Sequence, residues 1–218
     1  HLSRATFGDK GEMHFHIGLI VEPCPMKCAF CSLTRRAGLF TEAIEFPEAD
    51  ILAWARQGAA QGADALNLMT TGSYPLSRLL EVGRWLHREV DVPLVANTRD
   101  LNHAEAEQLL AAGFVGCYHA VRLGEGTDTP FRPERRIQTI RVLREVGLQW
   151  MNCVEPVGPE HTAGEMVDLM LLARREGATY SGVMRRINFP GSPTEPLGMI
   201  SERRMAQLAA VSRLVMAD

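Results

Sequence analysis

Residues 15–33 read FHIGLIVEPCPMKCAFCSL, an apolar, strand-like stretch from Phe15 to Val21 that runs straight into a loop carrying Cys24, Cys28 and Cys31. Three cysteines so close together read as three ligands to one iron–sulfur cluster. A cubane cluster has four irons, each needing a ligand, and this loop supplies thiolates for only three of them. One iron is left open. An open iron can chelate a small molecule that offers an amine and a carboxylate, as methionine does, whereas a cluster held by four thiolates can only pass electrons. The spacing therefore predicts a reactive cluster at the end of a strand.

Cys-x3-Cys-x2-Cys with an aromatic before the last cysteine, here Phe30, resembles the signature of the radical S-adenosylmethionine (SAM) superfamily. The resemblance implies a [4Fe-4S] cluster, SAM as its partner, and an external electron donor such as flavodoxin or ferredoxin. A zinc knuckle is the alternative, but zinc needs a fourth ligand, and the next residues, SLTRRAGLFTEA, contain neither Cys nor His. His14 and His16, two apart on a strand and so on one face, keep a Cys3His site in play.

With 218 residues, 46% of them hydrophobic, the chain is expected to form one α/β domain over 1–218. A formal charge of −3 without runs of like charge gives no footprint for nucleic acid or anionic lipid, so a small-molecule partner is expected. No apolar stretch reaches the ~20 residues a membrane span requires. The opening HLSRATFGDKGEMHFH lacks a signal-peptide layout, and five cysteines, an odd number with three clustered, suit a reducing compartment; a cytoplasmic protein is expected.

Strand-like and helix-like segments alternate along the chain, the pattern of parallel βα units. The strands fall at 15–22, 65–70, 94–98, 115–121, 149–155 and 180–187, and the helices at 51–63, 76–90, 103–113, 135–147, 163–177 and 201–216. Asn102 with Glu105 three residues on forms a helix start, and Gly113 and Gly147 fall where helices stop. Right-handed βα crossovers in succession curl into a TIM-barrel-like core with ligand sites at the carboxyl ends of the strands. Six units make a partial barrel, either whole as such or part of a full barrel.

After the second strand comes Thr70-Thr71-Gly72-Ser73-Tyr74, and after the fourth HAVRLGEGTDT, with Arg122 and Glu125 at the mouth and Arg136 opening the next helix. A guanidinium suits the SAM carboxylate and a carboxylate suits ribose hydroxyls; a solvated ion pair is the plainer reading. This block looks like the biotin synthase branch, with its hydrogenase maturase and methylornithine synthase relatives. That likeness implies that the turn at Thr70, Thr71 and Gly72 accepts hydrogen bonds from the methionine amino group through its carbonyls. It also implies that Arg122, Glu125 and Arg136 bind SAM, Arg136 through the carboxylate, although the loop after Glu125 is shorter than in those relatives. The strand-five and strand-six ends, CVEPVGPEHT and INFPGSPTEPLG, would flank the nucleoside, which places Glu155, Glu160, His161 and Asn188 near ligand.

Cys117 and Cys153 lie in neighbouring strands, either as buried small hydrophobes or as part of a second iron–sulfur cluster. Biotin synthase itself uses such a cluster, held by cysteines on several inner strands, and ALNLMT and PLVANT have none; this weakens a strict biotin synthase assignment. Met26 and Lys27 read as loop filler, and Met166, Met170, Met205 and Met216 as core. Asn67, Asn97, Asn152 and Asn188 are expected to face inward and meet a polar small molecule. The function implied is reductive cleavage of SAM to a 5′-deoxyadenosyl radical that abstracts hydrogen from a substrate, in cofactor biosynthesis. The alternatives are a non-catalytic iron–sulfur carrier or scaffold, and a zinc-stabilised metabolite-binding domain.

Overall fold

The computed structural model describes residues 2–9 and 11–216. A short helix, α1 (Leu2–Phe7), precedes β1 (His14–Gly18), β2 (Ile20–Val21), β3 (Ile44–Glu45) and α2 (Glu48–Ala60). Alternating units follow: β4 (Ala65–Met69), α3 (Leu76–Glu89), β5 (Leu94–Asn97), α4 (His103–Ala111), β6 (Phe114–Tyr118) and α5 (Pro133–Glu145). The last are β7 (Gln149–Val157), α6 (Ala163–Arg175), β8 (Tyr180–Arg185) and α7 (Glu202–Val215).

Six strands pair in parallel in the order β1-β4-β5-β6-β7-β8, the arrangement expected of sequential βα units, and they curl into a half-barrel with the helices outside. The curl is tight enough at the amino ends for the first and last strands to meet, where the His14 ring stacks on Tyr180 at 5.1 Å. Strand alternation sorts the side chains. Leu66, Leu68, Leu94, Ala96 and Phe114 turn outward into one core with Leu79, Leu86 and Leu109 of the helices. Ala65, Val95 and Met151 turn inward with Tyr118 and plug the floor of the half-barrel. Above that plug the inner wall becomes polar, with Asn67 and Asn97 lining an open cavity.

The expected helices are all present, with the expected punctuation. Asn102 and Glu105 exchange backbone and side-chain hydrogen bonds as a capping box, and Thr162 with Glu165 does the same for α6. Gly147 (φ +87°) closes α5: its N–H donates to Arg144 O at 3.0 Å and that of Leu148 to Leu143 O at 2.9 Å. Such a double bond needs a residue in the left-handed region, which only glycine adopts without strain. The buried methionines behave as expected, Met166 and Met170 in the core with Met205 against them, and Met216 beside Trp150.

The first strand departs from expectation. Instead of running unbroken over 15–22, it leaves the sheet after Gly18, and Ile20–Val21 pairs antiparallel with Ile44–Glu45. Leu19 still spans both, donating to Met69 O at 3.0 Å and accepting from Phe46 N at 3.0 Å. The ribbon clamps the ends of the excursion 22–43, so the cysteine loop is anchored at both sides. The helix α1 has no apolar period in its six residues to announce it in the sequence. It docks on α7 through Arg213, which stacks over Phe7 at 4.2 Å and donates to Ser3 Oγ at 2.9 Å. No helix among the described residues is long and apolar enough to cross a membrane.

Candidate active site

The cysteine loop folds back on itself through its backbone. Cys24 N donates to Leu33 O at 2.8 Å and Arg35 N to Cys24 O at 2.9 Å, while the Thr34 hydroxyl donates to Cys31 O at 3.1 Å. Ala29 N donates to Asp128 O at 2.8 Å and so ties the loop to the segment after β6. On the opposite side Met26 packs over Gly72, where an added Cβ would come within 3.1 Å of it; the absence of a side chain at Gly72 lets the two loops close together. Met26 is thus a contact between loops and more than filler. The Glu22 carboxylate receives the hydroxyls of Thr71 and Ser73 and fixes the Thr71–Ser73 turn.

Cys24, Cys28 and Cys31, all unpaired thiols, open on one cavity of about 150 Å³. Phe30, Thr70, Thr71, Gly72, Arg122 and Arg136 line the same space. Nine of the eleven residues expected to bind metal or cofactor therefore converge. The other two do not reach it. Glu125 is buried within its own loop, where it accepts from Arg122 N at 2.8 Å and Thr129 Oγ1 at 2.6 Å and lies 3.7 Å from Arg136 Nε. Asn188 accepts from Arg186 Nε at 3.0 Å and donates to Gly198 O at 2.9 Å, spending its amide on the shape of the β8 loop.

The chemistry of this set fits a metal cluster and an anionic ligand. Burial, with the neighbouring Cys31 thiol, pushes Cys28 up to about 11, and burial raises Cys31 as well. Such thiols stay protonated near neutrality, and a bound metal is the agent that removes the proton outright. Arg136 is 3% exposed and borders the cavity, with its Nε 3.7 Å from Glu125 Oε2 and its Nη1 bonded to Asp100. A guanidinium on the cavity wall suits a carboxylate ligand. His14 and His16 stand apart from the thiols: His14 stacks on Tyr180, and His16 Nε2 pairs with Asn67 Nδ2 at 2.9 Å. A Cys3His zinc site finds no fourth ligand in either.

A second cavity, about 620 Å³, runs down the inner wall. Phe30, Asn97 and Arg122 line both cavities, so the two spaces adjoin. Arg122 is set by Glu155, whose Oε1 accepts from Arg122 Nε at 3.0 Å, while Glu155 Oε2 is buried without a partner. Glu160 and His161 do less than expected: Glu160 pairs with Arg186, and His161 Nδ1 accepts from Gly158 N at 2.9 Å. Both hold their loop.

Strand parity corrects two expectations. Cys117 lies fully buried in the helix-side core, whereas Cys153 lines the inner cavity, so the two thiols sit on opposite faces of the sheet and cannot share a cluster. Asn152 likewise alternates out of phase with Met151 and Cys153, and donates to Ser181 Oγ at 3.2 Å. Missed entirely was a buried charge cluster behind the cavity. Arg136 Nη1 lies 3.1 Å from Asp100 Oδ1, and His119, with its side chain fully buried, lies 3.2 Å from the same oxygen. Burial next to the Arg136 charge drives His119 down to about 3. Burial alone would raise Asp100, but the His119 hydrogen bond and the Arg136 charge bring it to about 2.

No family model matches the chain. Among curated proteins it is similar to the biotin synthase of Renibacterium salmoninarum (23% identical over 226 residues, 98% of this chain and 65% of the relative). It is also similar to that of Desulforudis audaxviator (28% over 204 residues, 88% and 61%). The chain thus spans less than two thirds of the length of these relatives. Among solved structures, methylornithine synthase superposes with a TM-score of 0.82 at 15% identity, over 99% of this chain and 66% of that one. The FeFe-hydrogenase maturase HydG of Carboxydothermus hydrogenoformans gives 0.78 at 14%, over 99% and 54%. The half-barrel and the sequence relatives together define a protein of the radical SAM group. Within that group the sequence is similar to the biotin synthase-like branch.

Proposed function

We propose that this chain is the catalytic core of a radical SAM enzyme that works on a small molecule in cofactor biosynthesis, by sulfur insertion or maturation chemistry. The observation that carries the reading is the convergence of three free thiols, the Thr70–Gly72 turn, Arg122 and Arg136 on one cavity. Cys24, Cys28 and Cys31 would hold a [4Fe-4S] cluster. When bound, cluster and SAM would supply a 5′-deoxyadenosyl radical that takes hydrogen from a substrate carbon.

The rest of the work belongs to this chain. Arg136, on the wall of the thiol cavity, offers a guanidinium to the SAM carboxylate. Arg122 is held in place by Glu155 and faces both cavities. Phe30 closes one side of the junction between them. The larger cavity, lined by apolar side chains together with amides, imidazoles and charged groups, would have to keep water from the reacting carbon once filled by ligand, the main task of a protein around a radical. Asn67 and Asn97 on the inner wall would offer amides to a polar group of the substrate. A flavodoxin- or ferredoxin-type donor would deliver the electron, and free thiols suit the cytoplasm.

Anaerobic reconstitution with iron and sulfide, followed by SAM and dithionite, tests the reading. The expected products are methionine and 5′-deoxyadenosine, both lost in Cys28→Ala. A protein that carries zinc, or a cluster that never cleaves SAM, would refute it in favour of a zinc-binding or electron-carrying role.

A further inference from the structure

Cys153 is a half-buried thiol for which the proposed reaction has no use. It faces inward from β7 between Met151 and Glu155 and lines the 620 Å³ cavity that also contains Phe30 and Arg122. Its register partner on β8 is Gly182, which has no side chain to cover the thiol. No second inner-wall cysteine accompanies it among the described residues, since Cys117 faces the helices and the other three lie in the loop. The neighbouring inner positions on β1, β4 and β5 are His16, Asn67 and Asn97. A lone thiol here is therefore poorly placed to anchor a second thiolate-held cluster.

What stands beside it points to proton traffic. Glu155, two residues along the same face and 4% exposed, lines the same cavity, with Tyr118 beside both Glu155 and Cys153. Burial and the Glu155 charge both push the Cys153 thiol far up, so it is held as S–H. A protonated thiol is inert as a nucleophile, but its S–H bond is weaker than an alkyl C–H bond. Transfer of its hydrogen atom to a carbon radical is downhill.

We propose that Cys153 is a hydrogen-atom donor to the carbon radical generated in this chamber. The inference rests on the radical reading above. The S–H bond breaks and a C–H bond forms, leaving a sulfur-centred radical on Cys153. One electron from an external one-electron donor, a reduced flavin or iron–sulfur protein in the cell and dithionite in the assay, then reduces the sulfur. Glu155 relays the proton that restores the thiol.

The thiol hydrogen exchanges with solvent, which gives a test that needs no identified substrate. The reconstituted full chain is supplied with SAM and dithionite in D2O, and the 5′-deoxyadenosine is weighed by mass spectrometry. The wild type is expected to return deuterated 5′-deoxyadenosine, and Cys153→Ser and Cys153→Ala several-fold less deuterium per molecule, with Cys117→Ala unchanged. Serine keeps the shape, but its O–H bond is too strong to donate. Equal deuterium in the wild type and both Cys153 variants, or none in the wild type, overturns the proposal while leaving SAM cleavage intact. Absence of 5′-deoxyadenosine altogether brings down the radical reading and this inference with it. Independently of turnover, methylmercury titration of the full metal-free chain, read by native mass spectrometry, should show one adduct fewer in Cys153→Ser than in wild type. An equal number means the thiol does not face the cavity and also overturns the proposal.

Discussion

Lowering the pH from 7 to 5 should cost the folded chain about 2 kcal/mol through His119 alone. The imidazole sits at the carboxyl end of β6 with no solvent exposure of its side chain, held neutral by burial and by Arg136 at 3.5 Å from Nδ1. Its folded pKa is about 3, against an ordinary value of 6.5. The unfolded chain therefore binds more protons throughout that interval, and stability rises with pH across it. The contribution is complete above the unfolded value, begins to fade near pH 6.5 and is gone below pH 3. Because titration of the folded form is remote at pH 5, the loss between pH 7 and 5 depends almost wholly on the unfolded imidazole. Asp100, with its folded pKa near 2 against 3.8, gives up its share only below about pH 4, outside the window. His16 is also lowered by burial and pushes in the same direction, so the comparison needs a variant. His119→Gln keeps a donor for Asp100 but cannot titrate. Urea unfolding of the metal-free chain under reductant at pH 7, 6 and 5 should show wild type losing about 2 kcal/mol more than the variant. Parallel pH profiles for the two proteins would mean that His119 is solvated or charged in the folded state, and would refute the buried-cluster account.

Three other outcomes follow from the same packing. Glu155→Ala strands the Arg122 guanidinium and should destabilise by about 3–5 kcal/mol, whereas Glu155→Gln, which keeps the volume and an acceptor, should lose less than half of that; equal losses in urea would contradict the buried pair. Arg136→Lys removes the planar fork facing the cavity, and SAM affinity of the reconstituted protein by calorimetry should fall about tenfold or more, an unchanged affinity ruling Arg136 out as a ligand. Gly83→Ala would gain about 1 kcal/mol of helix propensity at an open site. Here its Cβ would lie 2.3 Å from the buried Phe114 ring, and overpacking at about 1–3 kcal/mol should win, lowering the thermal midpoint; a raised midpoint would mean the ring moves freely.

The parts of the fold that were legible in the sequence are those governed by local periodicity. Six apolar strands, six amphipathic helices and the Asn102–Glu105 cap each rest on residues within one turn or one pleat. The cysteine spacing is equally local, which is why all three thiols reach one cavity as expected. What stayed hidden depends on register. Cys117 and Cys153 read alike as strand residues, but β6 begins at Phe114 and carries an irregularity against β5, and one residue of shift exchanges the inner and outer faces. Asn152 sits one residue out of phase with Met151 and Cys153 on β7, so its amide goes to Ser181 instead. The partners of Arg122 and Arg136 lie 33 and 36 residues away, brought close only by the pairing of β5, β6 and β7. Glu125 was placed at the mouth because the chain direction pointed there. Gly124 (φ +71°) turns the loop back, and Asp128 N closes it on Gly124 O at 2.7 Å, so the carboxylate ends up inside.

The division of the sheet into two faces also explains how a reactive chamber can coexist with a stable fold. Nearly all of the apolar burial lies on the helix side, in the core that joins Leu66, Leu68 and Leu94 to the helices. The inner wall above the floor contributes little to it: Asn97 Nδ2 makes only a 3.6 Å contact with the Met69 sulfur, and His16 lines the cavity without joining the packed core. Substitution at such positions changes what the cavity can hold while leaving the packed core untouched. The cluster loop has no such freedom, because it is tied by backbone hydrogen bonds at Cys24, Ala29 and Arg35 and packed against Gly72. The thiol loop is thus fixed at one edge of the half-barrel, and under the proposed reaction the choice of substrate would fall to side chains on its wall that stability does not constrain.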